Sequence, residues 1–491
     1  MYRIGRCRCL VVAMAAFAFV APVAAQPTDS NFIRSIQRRL EQLDATYRLT
    51  VPPDQPISER LLIDYGGSLR FGFVTSDDRA GATRILRQSD ATLHLRMELD
   101  GAHRFLGRLR FRYDDFNSGR SFDGLGDEFQ APIGDRYWYQ FDLRGAELAR
   151  TGQHLDWNLN VKAGRQYVHW NSGLALSNVL YSGIVEAEAG DLGLVGLVGV
   201  TPRTETIDFD ATRPNYDTAV DKRFYGGRLE YRGLAQHRPS FSVLVQRDHN
   251  DADQRVFATP IGDVTTRFRY DSEYFTLGSR GSLGPSWLYR AEINYQSGRG
   301  LSSPINPSDG FADTQSESDI DAWAGILTLT HLFYDERETR LELELAAGSG
   351  DADRGHPSNT LLGNRDGTDD HAFNGLGYLN TGLALSPAIS NLIMARGGVR
   401  TTLVDNRRRA GHLQMSFDAF LLNKVDAASV ISVPTRGNRF VGLEFDLGLE
   451  WRLANDVSVD LRYGIFLPGN AIPRAQRDPR HFLYLGVLYA F

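Results

Sequence analysis

Between Leu61 and Phe491 apolar side chains return at every second position in one stretch after another, and they form no long unbroken run. In 93–99, Leu93, Leu95, Met97 and Leu99 alternate with His94, Arg96 and Glu98. In 105–113, Leu109, Phe111 and Tyr113 alternate with Arg108, Arg110 and Arg112, and in 136–144, Tyr137, Tyr139, Phe141 and Leu143 oppose Arg136, Trp138, Gln140, Asp142 and Arg144. The pattern returns at Leu155, Trp157, Leu159 and Val161, at Trp287 to Tyr295, at Leu341 to Leu345, at Leu413 to Leu421 and at Val441 to Trp451. A β-strand sends successive side chains to opposite faces, so each stretch makes one apolar and one charged face. So many half-charged strands do not suit a soluble sandwich. They suit an antiparallel transmembrane β-barrel, with the apolar faces on lipid and the charged ones around a wet lumen. The same alternation explains a mildly hydrophilic mean hydropathy of −0.31. No stretch after residue 25 approaches the ~18 continuous apolar residues of a transmembrane helix. A net charge of −6 gives no footing for a nucleic-acid partner.

The first 25 residues read as an address. Arg3, Arg6 and Arg8 precede an apolar run from Leu10 to Val20, and Val23-Ala24-Ala25 supplies the small residues of a cleavage site before Gln26. Both cysteines, Cys7 and Cys9, lie inside this leader, so the mature chain holds no thiol and no disulfide. Residues 26–60 form a separate N-terminal segment. Phe32, Ile33, Ile36, Leu40, Leu43 and Tyr47 recur there at helical spacing before Pro52-Pro53, which predicts a short periplasmic amphipathic helix over 30–48.

Connections within 61–491 alternate in length. Short ones fall at Asp100–His103, Gly190-Asp191, Asp335–Glu338 and Asn455-Asp456. Long polar ones fall near 75–89, 115–135, 202–222, 250–264, 298–319, 349–372, 424–438 and 468–480. Short periplasmic turns and long extracellular loops give that rhythm, and a single-chain barrel with both ends periplasmic needs an even strand number. Assigning 373–386 to loop rather than wall leaves about 18 strands, within the range of wide barrels. The chain closes on Leu483, Leu485, Val487, Tyr489 and Phe491, an alternating strand with a terminal aromatic of the kind read by the outer-membrane assembly machinery. The expected location is the outer membrane of a Gram-negative cell, with its lipid and that machinery as partners.

Three motifs carry a family resemblance. Val161-Lys162-Ala163-Gly164-Arg165-Gln166 resembles the Gly-Arg-Gln hairpin of the alginate-export family of outer-membrane proteins. Gly377-Tyr378-Leu379-Asn380-Thr381 resembles that family's late extracellular loop, and Phe466-Leu467-Pro468-Gly469 is similar to the approach to its final loop. The resemblance implies an 18-stranded monomeric channel that passes an anionic exopolysaccharide such as alginate outward through an arginine-lined constriction, served by periplasmic export components. It singles out Arg165, although strict alternation from Val161 would turn that residue toward lipid unless a bulge or strand end lies there.

Parity supplies the rest of the candidate path. Arg96, Arg108, Arg110, Arg112, Arg136, Lys162, Arg396, Arg400 and Arg462 fall on lumenal positions, as do Arg70, Arg144, Arg228, Arg232 and Arg290. Guanidinium groups in a narrow pore attract carboxylates and offer bidentate contacts. Glu342, Glu344, Glu444, Asp446 and Glu450 point inward too, so lumenal salt bridges are the competing reading. The alternative function is a substrate-specific uptake porin for small anionic or sugar solutes, trimeric through the N-terminal helix. His169-Trp170-Asn171-Ser172 groups side chains that a hydrolase could use, without any acyl-hydrolase pattern around them. Asp351-Ala352-Asp353-Arg354-Gly355 lacks the bidentate Glu of a calcium loop. No enzyme, cofactor or metal site is expected.

Overall fold

A computed structural model describes residues 60–78, 81–117, 126–203, 208–216, 219–250, 252–260, 262–406 and 411–491. The leader and the helix expected over 30–48 lie outside the described residues. Twenty strands follow one another: β1 (Leu61–Asp77), β2 (Thr83–Leu99), β3 (His103–Phe116), β4 (Glu128–Asp142), β5 (Trp157–Trp170), β6 (Leu176–Ala189), β7 (Leu192–Val200), β8 (Lys222–Tyr231), β9 (His237–Asp248), β10 (Gln254–Thr259), β11 (Gly262–Arg267), β12 (Tyr270–Ser282), β13 (Trp287–Leu301), β14 (Glu317–Leu332), β15 (Arg340–Gly348), β16 (Leu392–Asn406), β17 (Gly411–Lys424), β18 (Phe440–Arg452), β19 (Val457–Pro468) and β20 (Arg480–Ala490). All but β10 and β11 join one 18-stranded sheet, each strand antiparallel to its neighbours. The sheet closes because β20 pairs with β1 from Ser76↔Phe482 to Ser68↔Ala490. Phe491 and Gly67 then exchange backbone hydrogen bonds of 2.9 and 2.8 Å. The terminal aromatic strand is therefore the seam of the barrel.

Alternation predicts the outer face well. Tyr65, Leu95, Leu109, Tyr139, Trp157, Leu345, Phe417, Leu447, Trp451, Val487 and Phe491 are all exposed on it. Turns at the end where the chain terminates are short, apart from the β4–β5 connection over 143–156. Asp100 and Gly101 both take positive φ, 57° and 65°, with Ala102 N–H bonded to Leu99 O at 3.0 Å. This is the mirror-image turn that suits a two-residue hairpin, which Asp-Gly adopts with little strain.

Several expected boundaries need correction. Most of the connection expected near 75–89 is wall, because β1 and β2 stay paired as far as Asp77↔Thr83. The strand over 136–144 stops at Asp142, and Leu143 and Arg144 open a helix, α1 (Leu143–Thr151). Asp142 caps that helix by accepting from Gly145 N–H at 2.8 Å, which ends the strand there. Arg144 thus lies on α1 and not on the barrel wall. Residues 254–267 are a hairpin of their own within the loop that follows β9. Val441 is buried, not outward, because the ladder shifts register between Leu422 and Asn423 beside it.

Residues 373–386 are loop, and with 349–372 they form one long connection from β15 to β16. This connection folds inward. Phe373, Leu376, Ala384 and Leu385 pack in one apolar cluster with Leu174 and Leu176 from the β5–β6 turn and with Ile431, Val433, Ala471 and Ile472 from two later loops. Inward side chains of the wall, among them Phe224, Tyr274, Phe420, Phe466 and Phe482, complete the cluster. Apolar burial of this kind contributes about 25 cal/mol per Å². The barrel therefore holds a dry core near its long-loop end.

Candidate substrate path

The lumenal wall toward the short-turn end is charged, and its charges are sorted by strand. On β2 to β5, Arg96, Arg104, Arg108, Arg110, Arg112, Arg136 and Lys162 share the lumenal parity with Asp90, Glu98 and Asp114, and with Asp135 where a bulge turns it inward. On β15 to β19 the balance reverses: Glu342, Glu344, Asp418, Glu444, Asp446, Glu450 and Asp460 accompany Arg340, Arg396, Arg400 and Arg462. With Arg84, Glu128 and Asp142, which share that parity, eight cations face six carboxylates on the first arc; with Lys424, Arg452 and Asp405, six cations face eight on the second. In the ring of 18, β15 stands nine places from β4, whereas only β20 and β1 separate β19 from β2, so the two arcs oppose one another at β15 and approach one another at β19.

The basic arc is organised by a residue that parity did not single out. The β3–β4 ladder shifts register after Arg108, which pairs with Arg136 while Leu109 pairs with Gly134. Asp135 is the extra residue. A bulge places two successive side chains on one side, so Asp135 and Arg136 are both buried in the wall. Asp135 accepts two hydrogen bonds from Arg108 at 2.9 Å and lies 4.0 Å from Arg110. Arg136 donates to the Asp135 backbone carbonyl at 2.6 Å. One carboxylate thus holds two of these arginines side by side. The signal available in the sequence was Gly134 beside two consecutive charged residues, Asp135 and Arg136, on one strand.

The other expected residues divide between pairs and contacts. Arg112 donates to Asp114 at 2.9 Å, and Lys162 stands 4.1 Å over the Trp138 ring. Arg96 sits opposite Asp64 on β1 and Leu106 on β3. Across the lumen Arg396 is buried between Glu342, Glu344 at 3.4 Å and Asp418 at 3.3 Å. Arg462 bridges Glu450 at 2.6 Å and Asp460 at 3.1 Å, while Arg400 lies opposite Arg340. Arg70 pairs with Asp90, Arg232 with Glu188 and Glu230, and Arg228 lies 5.8 Å from the Trp170 ring. Arg290 is opposite Arg280. The β4–β5 ladder ends at Tyr137↔Arg165, and the Arg165 side chain is buried with its guanidinium 5.7 Å from the Tyr181 ring.

Above the charged wall, the β5–β6 turn and the β15–β16 connection meet. Tyr378 N–H donates to Gly173 O at 2.9 Å, and Ser177 N–H to Leu376 O at 3.0 Å. The motif at 169–172 serves this junction: His169 Nδ1 and Ser177 Oγ share a hydrogen bond of 3.0 Å, Asn171 donates to Ser242, and Ser172 donates to Glu292. In the acidic motif at 351–355, Asp351 accepts the N–H groups of Asp353 and His371, each at 2.7 Å, and Asp353 pairs with Arg365 at 3.0 Å. Those contacts fasten the connection to itself.

A family model described as "Alginate export" matches residues 200–485, more than half of the chain. No curated protein matches the chain in sequence. Among solved structures, Pseudomonas aeruginosa OccK11 (OpdR) is similar at 13% identity and a TM-score of 0.50, over 87% of this chain and 96% of that one. Acinetobacter baumannii OccAB1 is similar at 11% identity and a TM-score of 0.50, over the same shares of the two chains. These two likenesses concern the barrel fold alone.

Proposed function

The chain belongs to the alginate export family, and from that premise we propose that it is an outer-membrane channel through which an anionic polysaccharide leaves the cell. One observation carries the reading: the cation-rich arc of β2 to β5, where Asp135 holds Arg108 and Arg110 side by side at the lumen. Uronate carboxylates passing along that arc meet guanidinium groups already oriented and partly desolvated, which strengthens charge-assisted contacts. The paired acids keep each arginine in place without cancelling the arc's excess. The long-loop end then faces outside and the end bearing Phe491 faces the periplasm, where export components would deliver the polymer. We propose a monomer, matured by removal of residues 1–25.

The test is a planar-bilayer recording with the purified barrel. The wild type is expected to select anions, and Arg108→Glu with Arg110→Glu to lose that preference or reverse it. A cation-selective wild type would overturn the anionic reading. A second reading, uptake of small anionic or sugar solutes, draws on the inward connection over 349–391, which narrows the lumen above the charged wall. Polymer export requires that obstruction to move, whereas uptake of small solutes does not.

A further inference from the structure

Residues 373–386 lie as a strap across the lumen, and the two ends of the strap are held by different chemistry. Near 374–378 the bonds are neutral. Tyr274 Oη donates to Asn374 O at 2.6 Å, Asn374 N–H to Gln296 Oε1 at 2.9 Å, and the backbone bonds to Gly173 and Ser177 complete the set. Near 383–385 three consecutive N–H groups point at two wall carboxylates. Ala384 and Leu385 donate to Glu444 Oε1 and Oε2 at 2.6 and 3.0 Å, and Leu383 donates to Asp446 Oδ2 at 3.1 Å. Glu444 and Asp446 occupy successive lumenal positions of β18 and are almost wholly buried. The nearby acids Glu342, Glu344 and Asp418 have Arg396 as their cation. Among the described residues Glu444 and Asp446 have no Lys or Arg at ion-pair distance, and the strap's amides take that place. Two adjacent carboxyls without a cation are costly to bury.

The seat is shaped for the strap on both sides. Gly382 takes φ +111°, where an L side chain is strained, and a Cβ there would run into the Glu444 carboxylate. On β19 a Cβ at Gly464 would stand 2.9 Å from Leu383 Cβ. A Cβ at Gly377 would collide with the carbonyl oxygens of Gly173 and Leu174. Side chains are missing at these three contacts of the strap with the turn and the wall, so the seated position is a specific fit.

Resting on the channel reading above, we propose that the strap is the gate of this channel and that Glu444 and Asp446 are its latch, an autoinhibitory contact that must break before a polymer passes. Leu383→Cys with Gly464→Cys tests it. Their Cβ atoms would stand 2.9 Å apart, short of the ~3.5–4.5 Å that a disulfide spans, so the bridge forms with the strap backed off the wall by about 1 Å, and the sequence has no cysteine outside residues 1–25. In planar bilayers the oxidised full-length barrel should open rarely, and reduction with dithiothreitol should restore wild-type currents. Glu444→Gln with Asp446→Asn should raise open probability by about tenfold, the scale of losing one hydrogen bond to a charged group. Failure of the pair to oxidise, or identical currents before and after reduction together with wild-type openings in the Gln/Asn variant, would overturn the gate. Silence of every variant, the reduced pair included, would instead overturn the channel reading on which the gate rests.

Discussion

The same wall has two interiors. Toward the long-loop end its lumenal positions carry Phe224, Leu244, Tyr274, Phe420, Phe466 and Phe482, all buried beneath loops that fold inward. Toward the short-turn end the same parity carries arginines and carboxylates, joined across neighbouring strands. Lumenal parity therefore does not mean contact with water. Where a loop comes in, the wall behaves much like the inner face of a soluble sandwich, held by apolar burial together with buried charged groups such as Lys222, Asp248 and Glu444. Where none comes in, ion pairs stiffen it and leave a local excess of charge for a solute to feel. Hydrophobic burial and buried ion pairs respond differently to substitution, so the two halves can be separated by experiment.

The largest effect is expected in the dry half. Phe373 is 1% exposed and touches Tyr274 edge-on, with ring centroids 6.1 Å apart. Phe373→Ala should cost about 3–5 kcal/mol, as for other buried aromatics. The cost should fall on the strap and its loop rather than on the wall. Limited proteolysis should cut within 349–391 while the barrel still migrates as a folded species in unheated SDS gels. Equal loss of the barrel band would show that the two halves are one cooperative unit. In the charged half, Arg396→Met removes the cation shared by Glu342, Glu344 and Asp418. Breaking a buried pair from one side costs about 3 kcal/mol or more, here lowering the temperature at which the barrel band is lost. The strap should keep its protease resistance. Parallel loss of both would erase the distinction.

What was legible in the sequence follows from what alternation encodes. Period-2 patterning reports which face a residue takes, so the outward set from Leu93 to Phe491 could be read directly. The assignment of 373–386 to loop came instead from the even strand number that a single-chain barrel with both ends periplasmic requires. Alternation is silent about what stands across the lumen. Nothing near Gly377 announces that it will lie against Gly173, some 200 residues away, because that contact depends on ring closure and on the missing side chains at both points. The Asp135 bulge breaks the very periodicity used to find its neighbours. Arg165, which came from resemblance rather than parity, stands where one ladder stops and parity no longer assigns a face. The N-cap at Asp142 was written in the sequence, but strand periodicity running through Leu143 masked it.

The smallest effect is expected from pH, and it bears on the boundary between the two halves. His371 sits on the connection just before the strap, exposed, with Nδ1 2.9 Å from the Asp321 carbonyl. That hydrogen bond raises its pKa, and the nearby charges of Asp351, Asp321 and Asp369 add to the shift against the opposing effect of partial burial. A histidine whose folded value lies above its unfolded value of ~6.5 contributes its stability fully at lower pH. The contribution fades as pH rises through the folded value. Protease resistance of the 349–391 connection should therefore fall between about pH 5.5 and pH 8.5, the window in which a histidine loses its charge. In His371→Asn the fall should be shallower, with the wall unaffected in both proteins. Solvent screening at this exposed site keeps the effect modest. The same pH slope in wild type and variant would remove His371 from the account. A slope in the barrel band as well would mean that the wall senses protonation of the loop, and the dry and charged interiors would then be coupled.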